Sequence, residues 1–352
     1  MNYQRTLGLS SALLAGLATL PAHADLEVTP YGSLRIQTEA VSVDEAQPGE
    51  DDSYTALRDA YSRLGVTAVY NDFDAVDITA TVEFPINSAL LRAEDPTFFQ
   101  ASYKGNNKPR VADINIAHDS FGSLRVGTQW LAYYNTVAYP VDFFSTFYSG
   151  YATQATFRRD AATYTTPSLG GLTATVSAVD QTDEAGTSYL DTMQYALSYG
   201  INDLTLGLAY QDTEDDTGDN ADQAGVSLVY VLGGWRFAAK AEQLLTNSDA
   251  VQDDDPVTYN LYGSYSWNKY TVKAMFANGE ETDEPAAFFQ GDSYQVGLDY
   301  QYSEALKLFA EYFYEEKSYA IYTPNSRSFN PLAPYHTDSD GQVFAVGLRY
   351  DF

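Results

Sequence analysis

From Leu26 onward, apolar and polar residues alternate in short runs with a period of two. That is the pattern of a strand whose two faces meet different surroundings. In the first run, Leu26, Val28, Leu34 and Ile36 share one face and Glu27, Ser33, Arg35 and Gln37 the other. In the second, Leu64, Val66, Ala68 and Tyr70 oppose Arg63, Gly65 and Thr67. Leu204, Leu206, Leu208 and Tyr210 repeat the pattern against Thr205, Gly207 and Gln211, as do Leu306, Leu308, Ala310, Tyr312 and Tyr314 against Lys307, Glu311 and Glu315. Seven short connections fall at 71–74, 121–123, 167–171, 200–203, 232–234, 267–269 and 302–305. Eight long ones alternate with them at 40–56, 87–109, 130–158, 181–188, 212–222, 246–256, 279–291 and 316–341. Fifteen connections imply sixteen strands. Short turns at one end and long loops at the other, with an even strand number, predict an all-β fold, an antiparallel up-and-down transmembrane barrel. Closure would leave no backbone group unpaired in lipid.

One connection stands out. Trp130–Phe157 reads WLAYYNTVAYPVDFFSTFYSGYATQATF, without sustained alternation, with Pro140 and Gly150, and with Asp142 as its one charged residue. A loop of this length in a regular β chain is either functional or disordered. Its Tyr and Phe content argues against disorder, so it is expected to fold back and pack inside the barrel.

Composition sharpens the class. The first 24 residues fit an export signal: Arg5, an apolar run from Leu7 to Leu20, and Ala22-His23-Ala24 as a small-x-small cleavage pattern. No other stretch reaches the ~18 apolar residues of a spanning helix. Cysteine is absent, so no disulfide supports the fold. A net charge of −29 argues against nucleic acid as a partner. With 30 Tyr and 18 Phe the chain is not an acidic disordered one. Tyr70, Tyr199, Tyr210, Tyr230, Trp235, Trp267, Tyr270, Tyr300 and Tyr312 fall near segment ends, as interfacial girdles require. Most acids lie in the long loops, first of all a solvated surface, and alternatively a site for divalent cations beside lipopolysaccharide or a mark of a salty habitat.

The last run places Phe344, Val346, Leu348, Tyr350 and Phe352 on one face. It resembles the C-terminal strand through which outer-membrane barrels are recognised by the barrel assembly machinery. The chain as a whole resembles the general diffusion porins of Gram-negative bacteria. Thr29-Pro-Tyr-Gly32 resembles their first-strand motif, and Tyr61-Ser-Arg-Leu-Gly65 their second-strand motif. Arg110 followed by Phe121-Gly-Ser123, and Tyr164 to Leu172, resemble two further motifs in the same order. The resemblance implies a homotrimer in the outer membrane, passing ions and small hydrophilic solutes. It implies that the third long loop, here 130–157, narrows the lumen and sets its acids against wall arginines. Carried over by position, the constriction residues are Asp142 on the loop and Arg35, Arg63, Arg110, Arg158 and Arg159 on the wall. The family's second loop acid and its glycines have no counterpart here. Arg35 lies two residues past the family's usual base, which is Ser33 in this chain. Alternation favours Arg159 over Arg158 for the lumen, and also turns Arg125 inward. Arg110 shares its parity with Ile114 and Ile116, which would turn it outward unless a bulge intervenes.

Other classes fit less well. A barrel enzyme needs a His-based group, yet beyond the signal only His118 and His336 occur, near opposite barrel ends and without a nucleophile motif. A secreted β-rich adhesin or binding protein would lack the terminal Phe strand and the short–long rhythm. No motif fixes a metal site and no cofactor is indicated. The loop aromatics leave two readings open: anchors to the wall, or a stacking surface of a channel selective for sugars or aromatic compounds.

Overall fold

The computed structural model describes residues 26–73, 75–90, 92–93, 109–148, 155–182, 188–213, 221–246, 256–280, 290–317, 320–321 and 339–352. The export signal proposed for residues 1–24 and His336 lie outside these. The strands are β1 Leu26–Val43, β2 in two parts (Ser53–Asp59 and Arg63–Phe73), β3 Val76–Asn87, β4 Val111–His118, β5 Gly122–Trp130, β6 Arg158–Thr165, β7 Leu172–Thr182 and β8 Ser188–Ile201. They continue as β9 Leu204–Thr213, β10 Ala221–Leu232, β11 Trp235–Thr246, β12 Val257–Trp267, β13 Tyr270–Gly279, β14 Gly291–Gln301, β15 Leu306–Glu315 and β16 Gly341–Asp351. Each pairs antiparallel with its chain neighbours, and β1 pairs with β16 from Ser33↔Asp351 to Val43↔Gly341. The result is a closed sixteen-stranded barrel. A two-residue strand, Arg92–Ala93, hangs on the end of β3 outside the ring.

Alternation separates two faces all round the wall. Leu206, Leu208, Val226, Leu228, Leu261, Val272, Val296, Leu298, Phe344 and Val346 are exposed on one. The intervening positions are polar and buried, among them Gln37, Glu39, Gln194, Gln211, Gln223, Asn260, Gln295 and Glu311. In a closed ring, side chains diverge outside and crowd together inside, so the polar set is the inner one. A contiguous apolar outer band of this extent marks a surface made for lipid. At the short-turn end the outer face carries a chain of touching rings: Trp235–Tyr265, Tyr265–Trp267, Trp267–Tyr270 and Tyr270–Tyr300, with centroids 4.5–5.7 Å apart. Toward the long loops a second set runs Tyr259–Phe276–Tyr294–Tyr314. Asn202 and Asn268 take the left-handed conformation (φ +51° and +50°) that a tight hairpin turn demands.

β2 is broken at Ala60–Ser62. Its first part pairs with Ile36–Ser42 and its second with Leu26–Ser33 of the same strand, β1. The break is held by buried Asp59, whose carboxylate accepts from the Ser62 amide (2.9 Å), the Ser88 amide (2.8 Å) and the Ser88 hydroxyl (2.8 Å). The Ser62 hydroxyl in turn donates to the Arg35 carbonyl (3.1 Å), and the Ser88 oxygen stands 3.0 Å from the same carbonyl. Tyr61, left outside the ladder with φ +67°, turns its ring onto Phe147 of the long loop, stacked at 5.2 Å. The Tyr61–Gly65 motif is therefore a bulge that aims one ring at the loop. Replacing Asp59 by Ala strands three donors in a buried place and should cost about 2–3 kcal/mol, by the magnitudes known for bonds to charged groups. Urea unfolding of the barrel in vesicles measures this, and a change below about 0.5 kcal/mol, the usual scale of a neutral surface substitution, would show that the network does not hold the break.

Candidate functional site

The long connection after β5 is ordered over 131–148 as a wide helical turn, Tyr134–Ala138, followed by a tight turn, Tyr139–Val141. The periodicity gave no sign of these turns. They arise where Pro140 sets the start of the second turn. Residues 149–154 lie outside the described set. Leu131, Tyr133, Val137, Ala138 and Val141 are fully buried.

The seat for the helical turn is cut into β8–β10. Their inner positions Ala196, Gly207, Ala209 and Gly225 are small; Tyr133 and Val137 pack on Ala196, Ala209 and Gly225, and Thr136 on Gly207. A Cβ at Gly225 would collide with the Tyr133 hydroxyl and stand 2.9 Å from Val137 Cγ1; one at Gly207 would stand 2.7 Å from the Thr136 carbonyl oxygen. Polar contacts fix the register: Gln194 Oε1 accepts from the Tyr133 amide (2.9 Å), and the Ser227 hydroxyl donates to the Thr136 carbonyl (2.6 Å). Farther along, Glu311 accepts from the Ser145 and Thr146 amides (2.8 and 3.1 Å) and the Thr146 hydroxyl (2.7 Å). Lys273 Nζ donates to the Phe143 carbonyl (3.0 Å) while pairing with Glu311 (2.8 Å) and Asp299 (3.1 Å). Finally Gln37 Oε1 accepts from the Phe147 amide (2.8 Å), and Tyr61 donates to the Phe147 carbonyl (3.1 Å). Phe147 and Tyr148 then join Val41, Val43, Phe313, Ala320, Ile321, Val343 and Ala345 in an apolar cluster. Burial pushes the phenols of Tyr133 and Tyr148 well up from their ordinary value, so both stay protonated.

The wall bases form one group with some outliers. Lys307, Arg349 and Arg35 are direct neighbours on β15, β16 and β1, and Arg63 lies across from Ser33 on β2. Arg63 Nε stands 3.5 Å from Glu83, and Arg110 makes an ion pair with the same carboxylate. Arg110 sits one residue before the β4 ladder, so the parity of Ile114 and Ile116, both exposed outside, does not govern it; its side chain turns to Glu83 without a bulge in the strand. Arg35 Nε donates to Ser33 Oγ (2.8 Å), and no carboxylate lies within ion-pair distance of it among the described residues. Two guanidinium groups approach the Trp130 ring, Arg110 at 5.0 Å and Arg158 at 5.2 Å from its centre. Arg158 is thus buried against aromatic rings, whereas Arg159, across from Gln129, keeps the inner parity of Ala161 and Thr163. Arg125 stands near the short turns, 3.9 Å from Asp113, and is not part of the group. Asp142 is half-buried and accepts from the Tyr134 hydroxyl (2.7 Å) within its own loop. His118 packs at a tilt against Phe121, with ring centres 4.6 Å apart, beside a short turn.

Several wall residues near the loop were not among those that the sequence placed at a constriction: Glu83, Lys273, Glu311, Lys307, Arg349 and Arg236. Alternation gives their inward parity but not their height along the strand. Among the described residues no three His, Cys, Asp or Glu side chains converge as a metal site would require.

A family model described as Gram-negative porin matches residues 10–320. Similar solved structures include an anion-selective porin from Comamonas acidovorans, with a TM-score of 0.72 at 19% identity over 93% of this chain and 100% of that one. The in-vitro folded trimer form of OmpT from Vibrio cholerae gives 0.62 at 18% identity, over 93% and 100%. OmpF of Salmonella typhi, solved with daunomycin, gives 0.64 at 15% identity, over 92% and 97%. At these identities the likeness bears on the fold alone. No curated protein sequence matches the chain.

Gly225→Val should lift the helical turn off β8–β10. Hydrogen exchange read by mass spectrometry is expected to show faster exchange at 131–138 with the strands unchanged. Wild-type protection there would mean that the small inner residues do not seat the loop.

Proposed function

The chain belongs to the Gram-negative porin family, an outer-membrane channel for solute diffusion, and we propose that its selectivity is set at a charged constriction built by Trp130–Phe157 and the facing wall. The observation that carries this is the bonding of residues 133–147 to inner-face side chains on β1, β8, β10, β13 and β15. A barrel of sixteen strands is wide enough to hold water, and a segment tied to its inner face at that many strands narrows what remains.

The wall opposite the loop is rich in bases. Arg63 and Arg110 share one carboxylate, Arg349 has Asp351 (2.7 Å), and Arg35, among the described residues, donates to a serine hydroxyl and pairs with no carboxylate. Arg158 and Arg159 add to this at the start of β6. Against them the loop offers Asp142. The narrowest part therefore favours anions, although the chain carries −29 overall. The excess acids sit in the outer loops, and their reach is set by salt: the Debye length is about 10 Å at 0.1 M and about 3 Å at 1 M.

The reading includes an export signal cleaved after Ala24, and insertion by the barrel assembly machinery through the face of Phe344, Val346, Leu348, Tyr350 and Phe352, all but Leu348 exposed. It also includes a homotrimer set in lipopolysaccharide. The family and fold are those of non-enzymatic channels.

In planar bilayers the protein should give stepwise conductance; its absence would end the channel reading. Arg63→Ala should move the zero-current potential toward cations and Asp142→Ala toward anions. An unchanged potential removes that residue from the constriction. Lowering salt from 1 M to 10 mM should shift the wild type toward cations as the loop acids come into reach. A shift toward anions would place the governing charge elsewhere.

A further inference from the structure

A second group of polar and aromatic side chains lies on the wall away from Arg35 and Arg63. Arg236, Ser264 and Lys273 are direct neighbours across β11, β12 and β13. The two bases differ in what they face. Lys273 is discharged by Glu311 and Asp299 and also bonded to the loop. Arg236 has no ion pair and no hydrogen bond to protein among the described residues, and its Nε is buried without an acceptor. Its guanidinium lies over the ring of Phe143, 4.5 Å from the centre. Stacking of this kind leaves the in-plane N–H groups free to donate to a carboxylate.

Phe143 is one ring of a row. It packs against Tyr262 at 5.5 Å and Tyr139 at 5.6 Å. Tyr262 is buried, but Tyr139 is 50% exposed, far more than the rings that anchor the loop, such as Tyr133 at 0% and Tyr148 at 1%. Anchoring accounts for the buried rings and leaves Tyr139 unexplained. The two separations together put the Tyr139 ring within about 10 Å of the Arg236 guanidinium. Stacked rings sit with centroids about 4.5–7 Å apart, and a charge-assisted N–H···O bond spans about 2.7–2.9 Å. A benzene ring carrying one carboxylate bridges that gap; a chloride or an acetate does not.

We propose that Tyr139, Phe143 and Arg236 form a binding subsite for aromatic carboxylates inside the channel. The ring of the solute stacks on Tyr139 beside Phe143, and its carboxylate accepts from Arg236, with the Ser264 hydroxyl next to it on the wall. Such a site slows and saturates the passage of an aromatic anion while leaving small inorganic anions to diffuse. The inference rests on the channel reading above and names a solute class for it.

The test is block of chloride current in planar bilayers by benzoate, with acetate and cyclohexanecarboxylate as probes of equal charge. Benzoate should block saturably, at concentrations at least tenfold below acetate, with cyclohexanecarboxylate in between. Arg236→Gln and Tyr139→Leu should each weaken the benzoate block at least fivefold, each variant compared with its own chloride current. Arg236→Lys should recover part of the loss. Equal block by benzoate and acetate, or block unchanged in both variants, overturns the subsite while the conductance itself stands. If the wild type shows no conductance, the channel reading fails instead. Equilibrium dialysis of the detergent-folded protein with labelled benzoate then decides the subsite alone: binding lost in Arg236→Gln upholds it, and no binding overturns it.

Discussion

The constraint on which everything else depends is that a backbone in hydrocarbon must pair every N–H and C=O within the protein, because no water is there to do so. The pairing of β1 with β16 meets it by removing the edge. Even the Gly32 and Phe352 backbones bond each other in both directions at that seam. Once the ring is closed, inside and outside become different solvents, and the period of two along each strand follows. A ring this large cannot be filled by its own side chains. The inner face must then be wet, or be covered by another part of the chain.

Residues 131–148 bond to that face, and they do so by answering its polar groups rather than by hydrophobic contact alone. Glu311 shows the logic. Its carboxylate would be costly in a crowded interior, yet two amides, one hydroxyl and Lys273 all donate to it. Losing any one donor leaves a charge less satisfied, so the loop and the wall hold each other in register. Elsewhere the wall withdraws its side chains: Gly207 makes room for Thr136, and Gly225 for Tyr133 and Val137. The same division appears at Tyr61, whose ring packs on Phe147 while Asp59 secures the break that frees it.

What was legible in the sequence is what each residue decides with its near neighbours. Alternation places a side chain inside or outside whatever its partner, so the sixteen strands and all seven short turns could be read. The loop's seat could not. Ser145 meets Glu311 across 166 positions, and Phe147 meets Gln37 across 110. Glu311 was recognised as inward-facing, but nothing local says that it sits at loop height. Parity also fails where the ladder stops: Arg110 reads as outward by counting back from Ile114, yet it lies beyond the paired residues and reaches Glu83. The Tyr61–Gly65 motif was visible as a string, while its meaning as a bulge depends on Ser88 and Asp59 meeting in space.

The cations inside the barrel divide into two kinds, and the division decides what they can do to a passing solute. Arg58 is buried with Glu39 at 2.7 Å, Lys240 with Glu242, and Lys273 with Glu311. Each of these is discharged by a carboxylate, and removing one partner would leave a buried charge at a cost of about 3–5 kcal/mol. Such pairs brace the wall and present little field to the lumen. Arg35 and Arg236 are held differently, by a serine hydroxyl and by a phenylalanine ring. A hydroxyl or a π-face positions a guanidinium without neutralising it. Its field and its donors then remain available to an anion in the channel. Net charge is therefore a poor guide to the field beside the inner wall: −29 counts every acid equally, whereas an ion at the wall meets chiefly those charges that no neighbour has already answered.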